Sequence, residues 1–142
     1  MGIKDLIGTA REKINDIRAE HERERMIKGM TRQQLNEMIE GVRESIVKVS
    51  SLDGVAERES ALEGLKFQIE EVESVIDDCI EYAQTEMSRL AKSQYEVASR
   101  DLVQLQRQER FLQSKKEEIS IIKCEIFGGT PYKAEEPEVI FE

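Results

Sequence analysis

The chain has 142 residues, 39% of them hydrophobic and 36% charged, with a formal net charge of −9. That length suits one domain, and the composition leans toward long helices rather than an average globular core. Aromatic residues make up 5% and Trp is absent, which leaves little to line a small-molecule pocket, and the negative balance works against generic binding to nucleic acid.

The charge is uneven along the chain. Residues 1–33 carry eight basic and six acidic side chains, residues 53–86 two and eleven, and residues 89–123 eight and five. An acidic middle between mildly basic ends can pair with itself when helices fold back, pair with a neighbouring copy, or remain a solvated surface. Cys79 and Cys124 lie among apolar residues in no metal-like spacing, as expected of small buried thiols in a reducing compartment. Met1–Ala10 already carries Lys4 and Asp5 and does not read as a signal peptide. No run approaches the roughly 20 apolar residues that span a bilayer. The expected location is the cytoplasm, or the virion if the protein is viral.

In chain order, Ile3, Leu6, Ile7, Ala10, Ile14 and Ile17 fall at helical spacing and predict an amphipathic helix over 3–28. Its stripe is expected to pack into a bundle, with a membrane-surface role as the rival expectation. Thr31 followed by Gln34 has the capping-box form and opens a second helix over 32–50, striped by Leu35, Met38, Ile39, Val42, Ile46 and Val49. Gly41 inside it either weakens the helix or permits a close helix approach. Ser50-Ser51-Leu52-Asp53-Gly54 reads as a turn.

Leu65–Phe127 then runs for 63 residues without Gly or Pro. Leu62, Leu65, Ile69, Val72, Ile76, Cys79 and Ala83 advance in steps of three and four, the pattern of a coiled-coil seam. The seam slips at Met87 and resumes as Ala98, Leu102, Leu105, Leu112 and Ile119, with Glu109 and Lys116 at positions where apolar residues belong. A single helix over 55–127 would be roughly 110 Å long, and the two earlier helices would cover roughly two-thirds of it. A bend near Lys92-Ser93-Gln94 would instead give a compact four-helix bundle. With no breaker present, the elongated form is the expectation. The fold class is therefore all-α: an elongated helical hairpin or coiled-coil bundle with one very long helix, over residues 1–127. Gly128-Gly129 end the helix, and residues 128–142 form a short non-helical tail. The tail is disordered, docked back on its own bundle, or inserted into a partner through Val139, Ile140 and Phe141.

The sequence offers no catalytic, cofactor-binding or metal-binding set. No phosphate-cradling Gly loop occurs, the single histidine, His21, sits in a charged interval, and no Glu-x-x-His pair exists. Glu73, Asp77 and Glu81 recur every four residues on one helix face and make an acidic docking strip for a basic partner. Arg107 and Arg110 belong to a basic run that also includes Lys115, Lys116 and Lys123. The residues expected to bind a partner are Glu73, Asp77, Glu81, Arg107, Arg110, Val139, Ile140 and Phe141.

The expected function is that of a non-enzymatic structural or assembly protein. It would act through coiled-coil and tail-mediated contacts with a protein partner or with its own copies, as a component of a virion or other large complex. The alternatives are an acidic helical inhibitor or adaptor for a basic surface, and a peripheral membrane binder using the first helix. Nucleic acid is not an expected partner, and no cofactor is.

Overall fold

The computed structural model describes residues 3–92 and 97–134. It contains four helices, α1 (Ile3–Lys28), α2 (Arg32–Ser50), α3 (Val55–Ala91) and α4 (Val97–Phe127). Among the described residues there is no strand.

The caps follow the sequence signals. Gln34 N–H donates to Thr31 Oγ1 at 3.1 Å and Thr31 N–H to Gln34 Oε1 at 2.9 Å, so the capping box satisfies two donors that the first turn of α2 leaves free. At the other end Ser51 N–H returns to Val47 O and Lys48 O. Gly54 caps α3 without a side chain, and the Arg58 guanidinium reaches back 2.6 Å to Leu52 O, tying the turn to the helix it precedes.

The single helix expected over 55–127 is two helices. The chain reverses between Ala91 and Val97, and α4 returns antiparallel along α3: Gln84 meets Glu109, Asp77 meets Lys116, and Glu73 meets Lys123. No Gly or Pro lies between the two helices, whose apolar seams are buried against each other. The slip at Met87 comes just before this reversal. α2 lies on the other flank of α3 and runs parallel to α4, with Arg32 at Gln108 and Arg43 at Glu118.

The core lies where these three helices meet. Leu35, Ile39 and Val42 of α2, Leu65, Ile69, Val72, Ile76 and Cys79 of α3, and Leu112 and Ile119 of α4 are all buried. The two polar residues in the α4 seam are satisfied across the hairpin. Glu109 accepts from Gln84 Nε2 at 3.2 Å, and Lys116 sits 2.8 Å from Asp77. A Cβ added to Gly41 would lie 3.7 Å from Gln68 Nε2, an ordinary contact, so this glycine does not serve a close helix approach.

Beyond α4, Gly128 and Gly129 take φ of 83° and 104°, backbone that glycine adopts without a Cβ clash. The chain doubles back and residues 130–134 lie along α4. Tyr132 N–H donates to Ser120 Oγ at 2.7 Å, Tyr132 Oη–H to Gln113 at 2.6 Å, and Ala134 N–H to Glu117 at 2.7 Å. Lys116 Nζ lies 4.2 Å from the centroid of the Tyr132 ring. This part of the tail is docked on its own bundle.

Two substitutions test the packing with opposite signs. Ile119, fully buried, should lose about 2–5 kcal/mol of stability as Ile119→Ala in denaturant unfolding. Gly41→Ala should raise stability by about 0.5–1 kcal/mol, since a helical glycine is replaced where the added methyl has room.

Candidate interaction surface

Among the described residues, α1 meets the rest of the molecule near its C-terminal end. Residues 7–22 are all exposed, and Ile27 is buried. Four residues earlier, Arg23 grips α3. Its Nε donates to Asp78 Oδ2 at 3.0 Å, Nη1 to Glu71 Oε1 at 2.9 Å, and Nη2 to Ser74 Oγ at 3.1 Å. Desolvation works against the Arg23 charge, but its hydrogen bonds to Asp78 and Glu71 prevail and hold the guanidinium above its ordinary pKa.

This grip fixes how α1 is rolled about its axis. Ile14 precedes Arg23 by nine residues, two and a half turns at about 3.6 residues per turn, so the two side chains leave opposite sides of the helix. The apolar stripe therefore faces away from the bundle. Ile3 is 77% exposed, Ile7 49%, Ile14 50% and Ile17 52%. A surface helix ordinarily turns its apolar stripe to the core. The expectation that this stripe packs into the bundle fails for Ile3, Ile7, Ile14 and Ile17, which lie on the side opposite Arg23, whereas Ile27, nearer the end of the helix, is buried in the core.

The acidic strip of α3 and the basic run of α4 are two sides of one internal seam. Glu73 lies 2.9 Å from Lys123 and Asp77 2.8 Å from Lys116. Glu73 Oε1 is buried with the Lys123 ammonium as its polar neighbour, off the angle of a regular hydrogen bond. The Glu73 carboxylate at this distance pushes the Lys123 pKa up. Glu81 is exposed and has no ion pair among the described residues. Arg110 is exposed on α4, and Arg107 lines an open groove of about 660 Å³ with Arg32, Glu86, Arg89, Leu90 and Asp101. Charges of both signs stand side by side in this groove, and Arg89 is tied to Glu86 at 2.8 Å. Val139, Ile140 and Phe141 lie outside the described residues.

Two residues whose importance the sequence pattern did not reveal are Arg23 and Glu118. Glu118 joins α2 to α4, accepting from Arg43 at 2.6 Å and from Lys115 at 3.1 Å. Partial burial opposes its charge, yet the hydrogen bonds from Arg43 and Lys115 outweigh it and hold the carboxyl below the ordinary value of 4.5. Cys79 is buried in the core and Cys124 half-buried, both as free thiols, and burial pushes the Cys79 pKa up. Among the described residues no three His, Cys, Asp or Glu side chains gather as a metal ion would require. No described helix is long and apolar enough to cross a membrane.

A carboxyl depressed by folding contributes stability above its unfolded pKa and loses that contribution as pH falls through the folded value. Thermal melts should therefore show the protein weakening below about pH 4.5, with a shallower acid slope for Glu118→Gln than for the parent. An equal slope in both would show that this carboxylate has no part in acid unfolding. Comparison of the chain with protein-family models, curated proteins and solved structures finds no match.

Proposed function

We propose that this is a non-enzymatic structural or assembly protein that works through helix-to-helix contacts with protein, its own copies included. The observation that carries this reading is the outward face of α1. Ile3, Ile7, Ala10, Ile14 and Ile17 advance in steps of four and three, the repeat by which helices pack in coiled coils. A row of isoleucines about half or more exposed to water along one face marks a contact surface rather than a free one. The α2–α3–α4 body is the platform that holds this face outward. Tail-mediated contact rests on Val139, Ile140 and Phe141, a short way beyond the docked Tyr132. A virion or other large assembly is the setting such a part suits.

The acidic-adaptor reading has less to stand on, because Glu73 and Asp77 already serve Lys123 and Lys116. A membrane surface is the second reading for the same isoleucines, favoured by Lys4, Arg11, Lys13 and Arg18 on the same helix. Asp5, Glu12 and Asp16 offset most of that charge over the same stretch, so attraction to anionic lipid is slight.

Light scattering on the eluting protein tests the proposal. The parent should have a mass that is a multiple of 16.4 kDa. The triple variant Ile7→Ser, Ile14→Ser, Ile17→Ser should fall toward the monomer mass while the helical circular dichroism of the body persists. A parent chain that stays monomeric and floats with lipid vesicles would replace this reading with the membrane one.

A further inference from the structure

On the side of α3 away from α4, a second face is only partly used. Glu71, Ser74 and Asp78 on that face hold Arg23. Phe67 is one heptad before Ser74 and therefore on the same face, and it is 72% exposed. N-terminal to it the face continues through exposed Gly64, where an added Cβ would meet nothing within 4 Å, and through exposed Ser60 and Ala56. Small residues around one projecting ring leave a shallow seat into which another helix can settle closely. Its rim is acidic: Glu59 and Glu63 are exposed and make no ion pair among the described residues.

α1 carries the complement. Arg11 and Arg18 stand seven residues apart on one border of its isoleucine stripe, and both are exposed without an ion pair among the described residues. Pairing α1 with another α1 would bring these like charges together along the seam, since residues at that border face the border of a partner helix. The acidic rim of α3 reverses that term. A chain's own α1 cannot supply its stripe to its own seat while Arg23 holds the opposite side of the helix against Glu71 and Asp78.

We propose that the occupant of the Phe67 seat is α1 of a second copy of this chain, with its isoleucine stripe on Phe67 and Gly64 and with Arg11 and Arg18 beside Glu59 and Glu63. The inference rests on the assembly reading above and adds the identity of the partner surface. The two surfaces are different, so the contact is head-to-tail, and repeating it generates a ring if the rotation closes or a filament if it does not.

Charge reversal in the full chain tests the match. Arg11→Glu with Arg18→Glu, and separately Glu59→Arg with Glu63→Arg, should each raise the concentration at which assembly is half complete by at least about tenfold, about 1.4 kcal/mol. Mixing the two variants, or combining all four changes in one chain, should restore assembly. Phe67→Ala should weaken it without altering the helical signal. If the Glu59/Glu63 reversal and Phe67→Ala leave assembly untouched while the triple isoleucine variant still dissociates, the partner surface is elsewhere. In that case the proposed function stands and this inference falls. A parent chain that is monomeric at every concentration overturns both.

Discussion

Burial along one line of α3 decides where everything else goes. Ile69, Val72, Ile76 and Cys79 are inaccessible or nearly so, and α2 and α4 lie to either side of that line. The buried line is aliphatic apart from Cys79, with Tyr82, Phe111 and Phe127 packed partly buried against the core, and it determines which faces meet. Register comes from the rims. Lys116 on Asp77 and Lys123 on Glu73 align α4 with α3, and Arg43 on Glu118 aligns α2 with α4. Exposed ion pairs contribute little to stability one at a time. A one-turn slide of α4 against α2 and α3 would still bring Lys116 to Glu73 or Glu81, which flank Asp77 on the same face, but it would part Arg43 from Glu118, so the alignment rests on the pairs taken together.

Much of this was legible in the residues. Thr31 and Gln34, Ser51 through Gly54, and Gly128-Gly129 each carry local backbone chemistry, and the helix ends between Ile3 and Val55 fall where that chemistry places them. The reversal between Ala91 and Val97 carries none, since polar residues of fair helix propensity occupy it and the cause lies in the distant match between two seams. The pairing of the acidic and basic halves was visible as a charge imbalance, but imbalance alone does not say whether the complement is the same chain or another. The structure assigns Glu73 and Asp77 to the same chain.

The roll of α1 was the least legible feature. Arg18 to Arg25 is nearly all charged, and nothing in such a run distinguishes the one guanidinium that turns inward from those that remain in water. Only the spacing of Glu71, Ser74 and Asp78 on a helix some fifty residues later makes Arg23 the one that does. Sequence periodicity describes a helix's own faces well and says nothing of which neighbour a charged face will find.

The attachment of α1 also has a mechanical side. From Ile3 to Glu22 the helix extends about 30 Å beyond its clasp at about 1.5 Å per residue. It is a cantilever, held among the described residues chiefly at Arg23 and Ile27. A tilt of about 10° at the clamp carries the far end through about 5 Å, so a small local adjustment around Arg23 becomes a large displacement at Ile3. Under the proposed assembly, subunits joined through such an arm would be able to differ in angle without any of them repacking its core.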